Sequence, residues 1–441
     1  MRTFAAGTAS SVTLLCSGLL ALLIIAMWRQ SSRSYIAVVW MALVASRFAF
    51  NLGRLTIRAD QFALLLLFVP VFGIRQHRNQ AFPEHARFGR YLISYLAIGV
   101  GSKILNGASI EAVLRSGAIV GVALLGFWAP PFLARRGISV EMLTRYIISS
   151  ASVIGSFAAV LGFVSYLIPN VPGVQSDGSN SALHLSFVTF FEANLLGSYL
   201  AAALVLALLD SSITAWAKRN RTLAQVGISL GLLATFTRGA WIAFIVGSLV
   251  AALALRSHGG SSRRKMITRL SLVFITIAVA VSSVRSLREN ALHRFSNLLN
   301  FDSGSGYGRG KIAELAINDW QTSKIFGRGL LSLNTSAETS SAYSQSWIPN
   351  FSIAVLHDTG ILGATMLLLF VAGTARRLWV HPHPALVAPW LGCLTCLLVA
   401  SLATQSQILV FFWFLIGVAA ICGTPANPNT RSHESNSLKT A

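Results

Sequence analysis

The sequence predicts an all-α polytopic membrane protein with about 12–13 transmembrane helices and one large loop carrying short amphipathic helices. Three observations lead there. Of the 441 residues, 54% are hydrophobic and only 11% charged, against about 25% charged in a soluble domain. Apolar runs of 16 to 22 residues recur along the chain, the length that spans a bilayer core as helix. One stretch of 65 residues, 286–350, breaks that pattern with polar, basic and glycine-rich sequence.

The spans fall at about 12–28, 35–52, 61–74, 91–106, 117–134, 147–167, 187–209, 223–237, 240–256, 269–284, 351–373, 386–404 and 408–423. The third is short, so twelve spans with one re-entrant segment is the alternative. Backbone groups in lipid must be satisfied within each segment, which makes these helices. The first apolar run lacks the compact basic start and small-residue cleavage site of a signal peptide. Residues 1–423 read as a single membrane domain, and 424–441, rich in Pro, Asn, Ser and Thr, as a disordered cytoplasmic tail.

The net charge of +21 could point to nucleic acid, but in a membrane chain the distribution of charge is the better test. With loops assigned alternately and Arg47 set aside within a span, one side holds 21 of the 35 Lys and Arg residues and the other 13. Seven of those 13 sit in Arg285 and the adjoining insert. The bias puts the C-terminus in the cytoplasm and 286–350 outside. Membrane lipids and an anionic partner at the outer loop account for the charge, and no nucleic acid is required. The cysteines Cys16, Cys393, Cys396 and Cys422 lie in apolar runs. Cys393 and Cys396 read as buried small side chains, with no histidine or second pair nearby to make a metal site.

Two loops carry the remaining length. Residues 169–186 contain no Lys or Arg and are rich in Ser, Gly and Asn. They read as a flexible connector, or as the edge of a sugar-binding entrance. Within the insert, 287–299 and 311–321 have helical apolar faces, the second through Ile312, Leu315, Ala316 and Trp320. In this reading the glycines of GYGRG, 306–310, form the turn before the second helix, and Gly327 and Gly329 end it. Arg309 would then stand at a helix N-terminus, where backbone N–H groups favour an anion.

Four constellations could carry chemistry. Thr237-Arg238-Gly239-Ala240-Trp241 lies between two spans, with Arg238 at the outer surface; a snorkelling arginine beside an interfacial Trp241 explains it equally. Arg309 has Lys311, Lys324 and Arg328 nearby, and guanidinium groups suit bidentate phosphate contacts. Asn350, His357 and Asp358 open the span after the insert; His357 could act as a general base or simply pack. Glu192 and Asn194 sit at the outer end of an apolar helix, where a carboxylate needs a partner. Walker, Rossmann, metal-cluster and nucleophile-elbow signatures are missing from the sequence. No cofactor is therefore expected, and the energy for a reaction would come from an activated substrate.

In order, these pieces resemble the O-antigen ligase and O-antigen polymerase family of membrane glycosyltransferases. Thr237 to Trp241 is similar to the family's arginine-glycine motif at a mid-chain helix end. Arg309 followed by Gly327 and Gly329 is similar to its loop arginine and later G-x-G. Asn350 to Gly360 is similar to its H-N-x(9)-G segment, and Phe191 to Tyr199 to a further conserved stretch. The resemblance covers residues 185–420. One departure stands out: Pro349 occupies the place of the histidine that often precedes the asparagine. Either His357 takes that role, or proton removal is unassisted, or the chemistry differs.

The resemblance implies a GT-C-like glycosyltransferase in the bacterial cytoplasmic membrane. It would move a glycan from a polyprenyl-diphosphate carrier to the hydroxyl of a glycan or lipid acceptor at the outer face. It implies catalytic roles for Arg238, Arg309 and His357. Substrate contacts would come from Arg328, Lys311, Asn350, Glu192, Asn194 and Trp241, with no metal. Two other classes fit the same composition: a flippase for lipid-linked glycans, and a non-catalytic scaffold of an envelope polysaccharide complex.

Overall fold

The computed structural model describes residues 40, 44, 46, 49–52, 55–68, 83–136, 138–166, 168, 171, 174–177, 180–186, 190, 192–209, 218–255, 305–333 and 348–422, with isolated positions between 268 and 289. The helices are α1 (Ala59–Leu66), α2 (Pro83–Leu105), α3 (Ile110–Ala134), α4 (Val140–Val164), α5 (Ala193–Leu209), α6 (Lys218–Ala234), α7 (Arg238–Leu255), α8 (Ser305–Trp320), α9 (Phe351–Trp379), α10 (Pro384–Ser401) and α11 (Val410–Cys422). Two antiparallel hairpins join them: β1 (Ala49–Leu52) with β2 (Leu55–Arg58), and β3 (Val174–Asp177) with β4 (Asn180–Ser186). Helices α3, α4, α7, α9 and α10 are each long and apolar enough to cross a membrane, and α5 and α11 are shorter apolar helices. The shortest of the five, α7 and α10, have 18 residues each, about 27 Å at 1.5 Å per residue. The chain is an all-α polytopic membrane protein.

Helix α5 is the axis of the bundle. All but one of its residues are buried, as expected for a helix apolar on every side. It packs on α10, α7, α6 and α4. Its last carbonyls are taken up from outside the helix: Ala207 accepts from Arg221 Nε at 3.1 Å and Gln225 Nε2 at 2.9 Å. Close helix approach depends on small residues. Where α7 crosses α10, a side chain on Gly247 would meet the Gly392 carbonyl at 2.6 Å and the Cys396 Cβ at 2.9 Å. Cys393 and Cys396 are both buried in α10 and serve that packing. Phe127, Phe370, Phe412 and Trp413 pack between α3, α9 and α11, while Phe411 of α11 packs on Tyr199 of α5.

Several expectations change. The span placed at 35–52 ends instead in β1, whose register with β2 leaves only Gly53 and Arg54 between the strands. The 61–74 span is, within the described residues, the eight-residue helix α1. It begins with the buried Asp60, whose Oδ1 lies 3.0 Å from Arg58 Nε. The 169–186 connector contains the β3–β4 hairpin, in which Val174 pairs with Ser186 and Asp177 with Asn180. Helix α8 starts at Ser305, so Gly306, Gly308 and Gly310 lie inside it and not in a preceding turn. Glycine costs a helix about 1 kcal/mol per residue; burial of Ile312 and Ala316 against Leu333, Ile348 and Ala354 offsets that cost. Of the predicted 287–299 helix only Arg288 and Glu289 are described, both helical; Cys16, the basic 256–265 linker and the C-terminal tail lie outside the described residues.

The Gly247–Gly392 crossing generates a first prediction. Gly247→Leu forces α7 from α10 and should destabilise the protein by about 1–3 kcal/mol, read as a lower unfolding temperature in detergent. Gly117→Ala, where an added Cβ meets nothing within 4 Å, should leave that temperature unchanged or slightly raised.

Candidate functional site

The starts of α5, α7, α9 and α11 and the ends of α2 and α10 gather at one end of the bundle, and α8 lies across them. Two polar clusters form there.

The first cluster is built around a break in α9. Gly360 has φ 62° and ψ −167°, outside the helical region. The hydrogen bonds lost there are replaced by the segment after α8. Ile361 and Leu362 donate to the carbonyls of Lys324 and Ile325 at 2.9 and 3.1 Å. In return, Arg328 and Gly329 donate to the carbonyls of His357 and Asp358 at 2.7 and 2.8 Å. The two backbones touch: a Cβ on Gly327 (φ 74°) would lie 2.5 Å from Gly360 N. Only glycine tolerates both that torsion and that approach. Gly327 and Gly329 therefore dock this segment onto α9, in place of the expected role of ending α8, which stops at Trp320.

Side chains complete the clamp. His357 is fully buried. Its Nδ1 lies 2.8 Å from Asp358 Oδ1 and its Nε2 2.9 Å from Asp319 Oδ2. Asp319 Oδ1 takes Arg328 Nε at 3.1 Å, and Arg328 Nη1 donates to Asn106 Oδ1 at 3.3 Å. Asp358 Oδ2 accepts from Leu331 N at 3.1 Å. From α2, Lys103 Nζ donates to Leu330 O and Ser102 Oγ to Gly327 O, each at 2.5 Å.

The second cluster centres on the corner between α10 and α11, residues 402–409. Arg309 Nη1 donates to Ala403 O at 3.2 Å, and its Nη2 lies 3.3 Å from Glu192 Oε1. Glu192 also accepts from Asn194 Nδ2 at 2.5 Å and contacts Thr404. The start of α7 packs on the same corner: a Cβ on Gly239, the residue after Arg238, would lie 2.8 Å from Ala403 Cβ. Thr237 packs on Gly197 of α5 and shares a 2.8 Å hydrogen bond with Thr235. On the far side, Arg58 Nη2 donates to Ile408 O at 2.5 Å. The Arg309–Glu192 pair is about a quarter exposed on each side. Such a pair contributes only about 0–1 kcal/mol, so an incoming anion can displace it.

The residues named from sequence thus divide. Arg309, Glu192 and Asn194 come together, and Arg238 opens the helix α7 that packs on the same corner through Gly239. His357 and Arg328 do not join them: Asp319, their shared partner, is ten residues beyond Arg309 on α8, about 15 Å along the axis. Both ring nitrogens of His357 face carboxylates, which leaves none for a substrate proton. Asn350 caps α9, its Oδ1 accepting from Ile353 N at 3.1 Å. Trp241 donates Nε1 to Leu232 O at 3.3 Å and braces the turn from within. Lys311 is exposed and stands two residues, roughly 200°, around α8 from Arg309.

Sequence reasoning missed Asp319, Lys103 and Arg58, each an isolated polar residue with no local pattern. It also missed Thr404-Gln405-Ser406-Gln407, whose signal is four uncharged polar residues in succession between two apolar spans. The fold defines a multi-pass membrane protein, with a buried histidine clamp and an arginine–carboxylate corner at one end of its bundle. No family model matches the chain, and no curated protein matches it in sequence.

The clamp gives a second prediction. His357→Leu leaves two carboxylates facing an apolar side chain and should cost about 3–5 kcal/mol, the usual penalty for stripping one partner from a buried pair. Unfolding in detergent measures the loss. Trypsin should also begin to cut after Lys324 and Arg328 in this variant while sparing them in the parent.

Proposed function

We propose that this protein transfers a glycan from a polyprenyl-diphosphate carrier to an acceptor hydroxyl, with Arg238 and Arg309 holding the diphosphate. The observation that carries this reading is the Arg309 guanidinium held between Ala403 O and Glu192, at a corner where Gly239, the neighbour of Arg238, also packs on Ala403. The family resemblance in motif order and the basic character of the insert support it. By the bias of its loop charges, this end of the bundle faces outward from the cytoplasmic membrane.

In this reading the donor's phosphates displace Glu192 from Arg309. The acceptor oxygen attacks the anomeric carbon and the bond from that carbon to the phosphate oxygen breaks. Polyprenyl diphosphate leaves with the electron pair, its growing charge met by the two guanidinium groups. The acceptor proton passes to Glu192, which the donor has freed and which stands beside the reacting centre. The activated donor supplies the driving force, so no nucleotide is consumed. Each arginine contact is worth about 3 kcal/mol of barrier, on the scale of other oxyanion donors.

The test is transfer in membranes supplied with a lipid-linked glycan. Arg238→Ala and Arg309→Ala should each slow transfer at least about a hundredfold at unchanged protein level. Glu192→Gln should be slow and indifferent to pH, whereas the parent should lose rate as the pH falls and the carboxylate is protonated. Undiminished transfer in both arginine variants would exclude the reading.

One observation favours a second reading, a transporter of lipid-linked glycans: the broken helix α9, a device of many transporters. Against it, the freed backbone groups at the break are bonded to 324–329. Proteoliposomes separate the two: a transporter moves the lipid-linked glycan between leaflets without forming a glycosidic bond.

A further inference from the structure

The corner between α10 and α11 is held by its backbone, and its side chains are left over. Arg309 binds the carbonyl of Ala403, Trp413 Nε1 donates to Gln407 O at 2.7 Å, and Arg58 binds Ile408 O. Gln405, Ser406 and Gln407 are 1%, 0% and 6% exposed. Yet Gln405 Oε1, Ser406 Oγ and Gln407 Oε1 are buried with no hydrogen-bond partner in the protein. Isolated cases of this kind occur in folded proteins, but three in succession call for an explanation. Next to them the rim is open: Leu402 is 51% exposed, and Arg309 and Glu192 are partly exposed.

We propose that Gln405, Ser406 and Gln407 form a sugar subsite, which takes the carbohydrate residue attached to the diphosphate held by Arg238 and Arg309. The inference rests on the glycan-transfer reading above. None of the three side chains is charged, so the corner does not suit a second phosphate. Amide and hydroxyl groups both donate and accept, which is what the hydroxyls of a pyranose need. The site is contiguous with the anion corner, because Arg309 touches Ala403 and Glu192 touches Thr404. The subsite would thus recognise the first sugar of the donor, while the arginines, blind to the sugar, hold its leaving group.

The experiment measures binding to the full-length protein in detergent, by its intrinsic tryptophan fluorescence. Two probes are used: a polyprenyl diphosphate carrying one N-acetylhexosamine, and the same lipid without sugar. The parent should bind the glycosylated lipid more tightly. Gln405→Leu and Gln407→Leu should each weaken binding of that lipid about tenfold, the loss of about one good hydrogen bond, and leave the sugar-free lipid within twofold. Both variants, and the milder Ser406→Ala, should unfold at the parent's temperature or above, since an unpartnered buried polar group has been removed. Arg309→Ala should weaken both lipids alike.

Equal affinity of the parent for the two lipids overturns the subsite and leaves the diphosphate reading standing. So does an equal loss for both lipids in the glutamine variants. A lower unfolding temperature without change in selectivity overturns it in favour of an internal structural water. Loss of selectivity in the glutamine variants with Arg309→Ala inert keeps the subsite and removes the diphosphate reading. A parent that binds neither lipid removes both.

Discussion

A helix interrupted inside a membrane bundle must pass its freed backbone groups to other partners, because lipid offers none. At Gly360 the segment 324–329 takes them, two carbonyls offered and two amides returned. The position of everything in the insert that the structure describes follows from this exchange. It brings Leu331 N onto Asp358, sets Arg328 and Asp319 beside His357, and so fixes the C-terminal end of α8. The other end of α8 is then held where Arg309 meets Ala403 and Glu192. One rigid helix thus connects a tightly bonded clamp to a loosely bonded corner.

That contrast in bonding separates structure from chemistry. In the clamp, a fully buried histidine sits between two carboxylates, one of which accepts a backbone amide and the other an arginine. His357 and Asp358 are buried there and both ring nitrogens are taken, so the histidine itself is not available to a substrate, although the Arg328–Asp319 pair is partly exposed. In the corner, a partly exposed ion pair of little net strength joins a guanidinium to a carboxylate. An anion with two charged phosphates competes well for such a guanidinium, and the carboxylate it releases remains in place. The family resemblance directs attention to a histidine near the start of α9. The geometry moves the proton-accepting role in our proposal to Glu192, which is beside Arg309, whereas His357 bonds to Asp319, about 15 Å from Arg309 along α8.

Much of the architecture was legible because membrane helices are written in hydropathy. The spans from 91 to 255 and from 351 to 422 correspond to described helices within a few residues, apart from helix ends extended by as much as a turn or two. Legibility failed where a long-range contact overrides a local signal. The glycines at 306–310 argue for a turn, yet the buried face of Ile312 and Ala316 carries the helix through them. Gly327 and Gly360 each look like ordinary helix-ending or packing glycines, and only their mutual approach explains both. The β3–β4 hairpin lies in a segment rich in Ser, Gly and Asn, residues that suit open loops as well as turns, so its strands carry little local signal. At the site, the arginine motifs and Glu192 were visible as residue types out of place in apolar surroundings. Asp319 and Lys103 carry no such mark.

The corner at 403–408 shows why a polar residue in an apolar chain is informative even without a motif. A turn between two membrane helices that serves packing alone gains from apolar side chains, since each buried polar group without a partner costs about 1–3 kcal/mol. Here the backbone of the corner is already secured by Arg309, Trp413 and Arg58. Its amides and hydroxyl therefore add nothing to the closure of the turn and subtract from its stability. A partner that satisfies them when bound recovers that cost as affinity. A neutral, hydroxylated ligand would recover it selectively, because the charged part of the same molecule has its own guanidinium group two residues from Gln405, at Ala403. The division of labour between cationic and neutral groups is thus set by adjacency in the α10–α11 turn, and that is the physical basis for reading the corner as one extended site.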